Sequence, residues 1–333
     1  MTLKDAKKEA IDKARSYHYS FLTISKQKEI GWYAESKATQ RTVFWVNRDG
    51  SLELYGSDFA RNYQRRYLPN IKLKKQTSKE VLMSKYKIGI TEAGDAGLDL
   101  SWVDKLGGVD GAIAITKNPT PQFVEAVISN MDKLIVHATI TGYGSSVVEP
   151  NVPSPHNVAK SIMNLVDAGF PKEKLVIRVD PIIPTNKGTN LAYSVIERFM
   201  ALGFARYRIS VIDMYPHCRK RFEDANLPLP YGTNFSPSAD QLHRVNMAIS
   251  NLKNIWEHEQ PGLRIECCAE PGLSEAIQCG CISAYDLNLL GLDGADTDDM
   301  GFQRKHCLCY SGKTELLEHK ARCPHGCLYC YWR

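Results

Sequence analysis

The chain has 333 residues, 43% of them hydrophobic, enough to bury one barrel-sized core and an accessory module. No run of 18 or more apolar residues occurs, which excludes a membrane-spanning helix, and the N-terminal MTLKDAKKEAIDKARSYHYS has mixed charge and no apolar signal core, so a cytoplasmic protein with no membrane partner is expected. The net charge of +5 is uneven: residues 1–80 hold 17 Lys or Arg against 9 Asp or Glu, and the rest of the chain is net acidic.

The first 20 residues read as an amphipathic helix. VFWVNRDGSLELYG follows as a hairpin, with Asp49-Gly50 supplying the tight turn. FARNYQRRYLPNIKLKKQ then interleaves aromatic rings with cations, densest at Arg61, Arg65, Arg66, Lys72, Lys74 and Lys75. Cations neutralise phosphates while aromatic faces stack bases, so residues 1–80 form a small basic α+β module suited to DNA or RNA. A solvated basic face over the module's own aromatic core is the plainer alternative. The domain boundary is placed near residue 80.

From Tyr86 the pattern changes to Val/Ile-rich runs alternating with helical stretches. The expected strands are 86–91, 111–116, 134–141, 174–180, 206–213 and 263–268. Near-continuous apolar runs suit strands covered on both faces, and six βα repeats predict an α/β fold with a parallel sheet, a partial (β/α)6 TIM-like barrel over residues 81–278. The site of such a fold lies at the C-terminal strand ends. Those ends carry Thr116, Lys117 and Asn118; Thr139, Thr141 and Tyr143; Arg178 and Asp180; Ser210 and Asp213; and Glu266 and Glu270. His137, mid-strand, reads as a core residue. Residues 279–333 show little helical or strand pattern and form a cysteine-rich tail.

Nine of the ten cysteines lie after residue 266, which in a cytoplasmic chain points to metal or redox chemistry. The tail ends CPHGCLYCYWR, with Cys323, Cys327 and Cys330 in the spacing C-x3-C-x2-C. Three thiolates can hold three irons of a 4Fe–4S cluster and leave the fourth open to chelate S-adenosylmethionine, whose reductive cleavage yields a 5′-deoxyadenosyl radical. Gly326 permits a bend, and Tyr329 is placed against the adenine. A zinc knuckle completed by Cys307 and Cys309, or by His325, is the alternative. Arg178 is the expected partner of the cofactor carboxylate, since its fork binds two oxygens; Asp180, Ser210, Asn118 and Thr141 are the remaining cofactor candidates. Each could equally be a structural ion pair or layer contact.

The segments AIAITKNPTP, ATITGYGSSVVEPNVP, VIRVDPIIP, ISVIDMY, IECCAEPGL and CLCYSGKTELLEHKARCPHGCLYCYWR, in this order, resemble the domain-of-unknown-function 1848 family, whose members look like distant relatives of spore photoproduct lyase. The resemblance spans residues 86–333. It implies radical-SAM chemistry with the three-Cys loop delivered by the tail over the mouth of the barrel. Cys268, Cys281, Cys307 and Cys309 fall where the family tends to carry cysteines; four thiolates would close an auxiliary 4Fe–4S cluster or a structural zinc site. Cys267 and Cys279 are adjacent candidates, and Cys218 reads as a simple free thiol. The expected activity is hydrogen abstraction from a nucleobase or modified nucleotide, spanning isomerisation, repair and bond formation, with a reductase or flavodoxin-type electron donor. A small-molecule or peptide substrate, and a non-catalytic zinc protein that binds nucleic acid, are the competing readings.

Overall fold

The computed structural model describes residues 86–292, 308–318 and 323–331, together with the backbone of four N-terminal strands. The chain forms two compact units, Met1–Val81 and Leu82–Arg333. In the first, β1 (Phe21–Gln27), β2 (Gly31–Ser36), β3 (Arg41–Val46) and β4 (Leu52–Leu54) form an antiparallel meander. Val46 pairs with Leu52 between the antiparallel β3 and β4, and the expected Asp49-Gly50 turn lies outside the described residues. The expected N-terminal helix, the basic residues Arg61, Arg65, Arg66, Lys72, Lys74 and Lys75, and Cys307 lie outside the described residues.

The second unit is α/β. Among its described residues are eight strands, β5 (Ile88–Ile90), β6 (Gly111–Thr116), β7 (Leu134–Thr139), β8 (Leu175–Ile182), β9 (Arg206–Val211), β10 (Arg264–Cys267), β11 (Ile277–Gln278) and β12 (Lys313–Glu315). They pair in the order β11-β10-β9-β8-β7-β6-β5-β12, every pair parallel. All six expected strands are present, and β11 and β12 are additions at the two edges. Five connecting helices are α1 (Pro121–Ser129), α2 (Pro155–Asp167), α3 (Asn186–Ala201), α4 (Pro216–Asp224) and α5 (Ala239–Trp256), with a short α6 (Ala284–Leu289) beyond β11.

Helix starts follow capping chemistry. Thr120, Ser154 and Thr185 each accept the orphan amide three residues on, and Ser238 with Gln241 makes a reciprocal capping box at α5. Helix α4 lacks an apolar stripe: PHCRKRFED buries little more than Cys218 and Phe222, which is why periodicity alone does not show it. No described helix is long and apolar enough to cross a membrane.

Successive strand residues feed two cores, as the pleat requires. Ala112, Ala114, Leu134, Val136, Leu175 and Ile177 join the large cluster under the helices. The alternate set, Ile88, Ile90, Ile113, Ile135 and Val176, packs with Ile282, Leu287 and Tyr310. Each fully buried Ile or Leu contributes about 1.5–3 kcal/mol, so both faces stabilise the sheet.

On the same inner face, β9 and β10 carry charge instead. Glu266 is fully buried and receives Arg206, Arg208 (2.8 Å) and Arg264 (2.8 Å), while Arg206 also reaches Asp286 of α6 at 2.6 Å. Burial opposes ionisation of Glu266, but the guanidiniums prevail and hold its carboxyl at about 2. His137 is fully buried, and burial with the nearby Arg208, Arg178 and Arg206 keeps its ring neutral, as a core histidine should be.

The segment after residue 307 departs most from expectation. KTE has no apolar pattern, yet it adds to β5 as β12, because Lys313 pairs with Glu92 and the Glu315 carboxylate accepts from the Glu92 and Ala93 amides. The same segment touches the other side of the sheet, where the Tyr310 amide donates to the Ile282 carbonyl. Tertiary partners, rather than local propensity, make this strand.

Candidate metal centre and cavity

The C-terminal ends of β6 to β10 surround a cavity of about 470 Å³. Its walls bring together most of the residues expected there: Thr116, Lys117, Thr139, Arg178, Asp180 and Ser210 from the strands, and Cys323, Cys327, Tyr329 and Cys330 from the tail. Cys268, Cys281 and Cys309 line it as well. Asn118 and Thr141 are not on its wall. The Asn118 amide donates to Thr116 Oγ1, and Thr141 turns its hydroxyl to Glu149 at 2.7 Å.

The tail residues 323–331 are held by polar contacts from four separate segments. His325 Nε2 lies 2.6 Å from Asp95 Oδ2, both side chains buried. Asp95 also accepts from Thr116 Oγ1 (2.6 Å) and from the Lys117 and Gly97 amides, so one carboxylate ties the tail to the ends of β5 and β6. Asn151 Nδ2 donates to the Pro324 carbonyl at 2.8 Å, and the Leu328 amide to Val148. Arg221 of α4 donates to the Leu328 (3.0 Å) and Cys330 (2.7 Å) carbonyls. Gly326, at φ +69°, makes the left-handed bend between His325 and Cys327.

Tyr329, between the last two cysteines, hydrogen-bonds through its hydroxyl to Glu149 and Lys117. Lys117 and Glu149 are themselves paired at 2.9 Å. Burial works against the Glu149 carboxylate, but Lys117 and the hydroxyls of Tyr329 and Thr141 outweigh it and keep it below the ordinary range. Tyr329 is thus an anchor of the loop as well as part of the cavity wall. Cys218 packs behind the loop, its thiol donating to the Tyr329 carbonyl at 3.3 Å.

Arg178 is engaged with its neighbour: its Nε donates to Asp180 Oδ2 at 2.6 Å, and Ser210 donates to the other Asp180 oxygen. The three residues form one polar ledge on the cavity wall. Burial opposes the Asp180 charge, but Arg178 and Ser210 hold its carboxyl below the usual range.

The three tail thiols face a common space and influence one another electrostatically. Burial pushes the Cys323 thiol up and the Cys327 thiol to about 12, against the pull of Lys117. Such thiols are protonated unless a metal takes the proton's place, which a bound cation does by deprotonating its ligands outright. Cys323, Cys327 and Cys330 thus line one cavity together with Lys117.

The Cys268, Cys281 and Cys309 set is drawn tighter. Their sulfurs all lie within 4.8 Å of one another, with Cys281 to Cys268 at 3.6 Å. Cys268 follows β10, Cys281 follows β11, and Cys309 enters from the 308–318 segment. Gly280 allows that approach: a Cβ there would sit 2.3 Å from the Leu308 carbonyl. Hydrogen bonds with Cys268 and Cys281, then burial, raise the Cys309 thiol strongly. Arg208 fixes the middle ligand from below, donating to the Gly280 (2.9 Å) and Cys281 (3.0 Å) carbonyls. These three residues can hold a metal ion.

Asp95, Glu149 and Arg208 were not singled out from the sequence. Each acts on a residue far along the chain, and no local spacing marks such a partner. The family model described as a domain of unknown function, DUF1848, matches residues 104–332, and no curated protein or solved structure matches the chain.

Proposed function

We propose, on the premise that the chain belongs to the DUF1848 family, that it is a radical S-adenosylmethionine enzyme whose 4Fe–4S cluster is held by Cys323, Cys327 and Cys330. The observation that carries this reading is the C-x3-C-x2-C trio on the wall of the cavity at the C-terminal strand ends. A cluster held by these three cysteines would supply an electron to S-adenosylmethionine chelated through its amino and carboxylate groups, releasing methionine and a 5′-deoxyadenosyl radical. The protein's own part is binding and enclosure. Lys117 places positive charge beside Cys327. The Arg178–Asp180–Ser210 ledge offers both a cation and a carboxylate to the polar end and ribose of the cofactor. The tail, strapped by Asp95, Asn151 and Arg221, covers one side of the cavity and keeps water from the reacting carbon.

In this reading the parallel sheet serves as a partial (β/α)6 barrel, electrons come from a flavodoxin-type reductase, and the substrate is a nucleobase or modified nucleotide, with small molecules and peptides as the competing class. The Cys268, Cys281 and Cys309 set supports a second, smaller metal. On one tetrahedral ion with metal–sulfur bonds of ~2.3 Å, thiolates stand ~3.8 Å apart, close to the observed 3.6 Å. Thiolates on different irons of a cubane stand further apart. A single zinc therefore fits this set better than an auxiliary cluster.

Anaerobic purification with metal analysis tests both assignments. The expected result is brown protein with about four irons and one zinc per chain, which forms 5′-deoxyadenosine from S-adenosylmethionine after reduction. Colourless protein carrying zinc alone would replace the enzyme with a zinc-containing binding protein.

A further inference from the structure

Three exposed rings from three separate chain segments meet at the mouth of the cavity. Tyr215 and Tyr331 both line it, and Phe235 packs beside Tyr215. Their exposures are 37%, 55% and 45%, unusual for rings this large gathered in one place. Tyr215 stacks on His217 (5.7 Å between centroids, 21° between planes), meets Phe235 edge-on (4.9 Å, 88°) and lies 6.4 Å from Tyr331 at a tilt of 38°.

The backbone beneath each ring is fixed. Tyr215 caps α4, whose first residue is Pro216. The Met214 amide donates to the Phe235 carbonyl at 2.8 Å, and Arg219 donates to the carbonyls of Gly232 and Asn234 in the loop leading to Phe235. Arg221 holds the Cys330 carbonyl, one residue before Tyr331. Helix α4 has little apolar surface of its own to bury, and its arginines serve instead to hold the two segments that carry the other rings.

Rings held in this way lose little freedom when they take a ligand, and their exposed faces and edges suit another flat π-system better than a flexible chain. We infer that Tyr215, Phe235 and Tyr331 form a stacking site for one planar heteroaromatic ring at the mouth of the cavity. The inference deepens the proposed function and rests on it for the ring's two sources: the adenine of S-adenosylmethionine or the base of a nucleotide substrate. Tyr329, whose hydroxyl is committed to Glu149 and Lys117, is not needed for this contact.

The test is binding of adenosine, thymidine and S-adenosylmethionine to the full chain by equilibrium dialysis, with ribose and cyclohexanol as controls. Adenosine or thymidine should bind well above both controls. The Tyr215→Ala/Tyr331→Ala double variant should weaken binding about tenfold or more, and Tyr215→Phe/Tyr331→Phe should retain it, because the ring and not the hydroxyl makes the contact. Preference for adenosine assigns the ring to the cofactor, and preference for thymidine assigns it to the substrate. If the Ala variants fail to fold by circular dichroism, the Leu pair keeps apolar volume without a ring and should bind as weakly. Binding no tighter than the controls, or unchanged in the Ala or Leu pair, overturns the site. Cleavage of S-adenosylmethionine is measured on the same reconstituted protein. Ring-dependent binding without cleavage removes the radical reading and keeps the stacking site, while cleavage with ring-independent binding does the reverse.

Discussion

The two thiol sets share one cavity but are built in opposite ways. Cys268, Cys281 and Cys309 sit where sheet elements converge, and packing with the Arg208 bonds to the Gly280 and Cys281 carbonyls draws their sulfurs within 4.8 Å. Cys323, Cys327 and Cys330 lie in a short loop with little core of its own, and side chains from the segment after β5, from α4 and from the loop around Asn151 hold it in place. Packing forces nearby thiols into the geometry of a single ion. Straps leave the tail thiols on the wall of the cavity, the placement on which the proposed cluster rests.

The sharpest way to break this contrast is to remove one ligand from each set. Cys327→Ser is expected to abolish 5′-deoxyadenosine formation and most bound iron while leaving zinc in place. Cys309→Ser should do the opposite to metal content, losing zinc and retaining iron. Loss of both metals in either variant, measured by elemental analysis, would merge the two sites into one.

The next largest effect concerns Arg208, which supports Cys281 and neutralises Glu266. Arg208→Met removes one buried charged hydrogen bond to Glu266, which keeps Arg206 and Arg264, and costs about 1.5–3 kcal/mol. Urea denaturation should show that loss, together with weaker zinc retention against a chelator. Asp95→Asn acts on the other set. It weakens the strap to His325 by about 1–3 kcal/mol, so amide exchange across 323–331 should accelerate while zinc retention stays unchanged.

The smallest effect distinguishes the anchor from the ledge. Tyr329→Phe removes the hydroxyl bonds to Lys117 and Glu149, for about 1 kcal/mol. Glu149 also sets a pH dependence. Its folded carboxyl lies below the ordinary 4.5, so its stabilisation is complete above that pH and is lost as the pH falls through the lowered folded value. Thermal midpoints of Glu149→Gln should therefore fall less steeply on acidification than those of the parent protein.

The βα rhythm was legible because parallel strands covered on both faces leave Val/Ile runs such as LIVHAT that need no tertiary information to recognise. The C-x3-C-x2-C spacing of the tail was legible because it is local, and its three cysteines line the cavity. Helix α4 and strand β12 were not, since neither carries periodic apolar residues and each is held by ions or by hydrogen bonds to distant segments. Arg178 and Asp180, two residues apart on one strand, were read as cofactor contacts or as a structural ion pair, and in the fold they pair. Thr141 lay at a strand end as expected, yet its hydroxyl serves the Glu149 anchor. Sequence position gives the height of a side chain along a strand; its partner is decided by what crosses above it.

Strand β12 also bears on how the protein keeps. Cys309 lies four residues before β12, so an ion on Cys309 and the strand beside β5 restrain the same stretch of chain. If such an ion binds, its loss should loosen the cover of β5, whose Ile88 and Ile90 would then flank unpaired backbone groups able to template another chain. Demetallated protein should accordingly be lost to self-association during storage, and the zinc would act as a guard against aggregation.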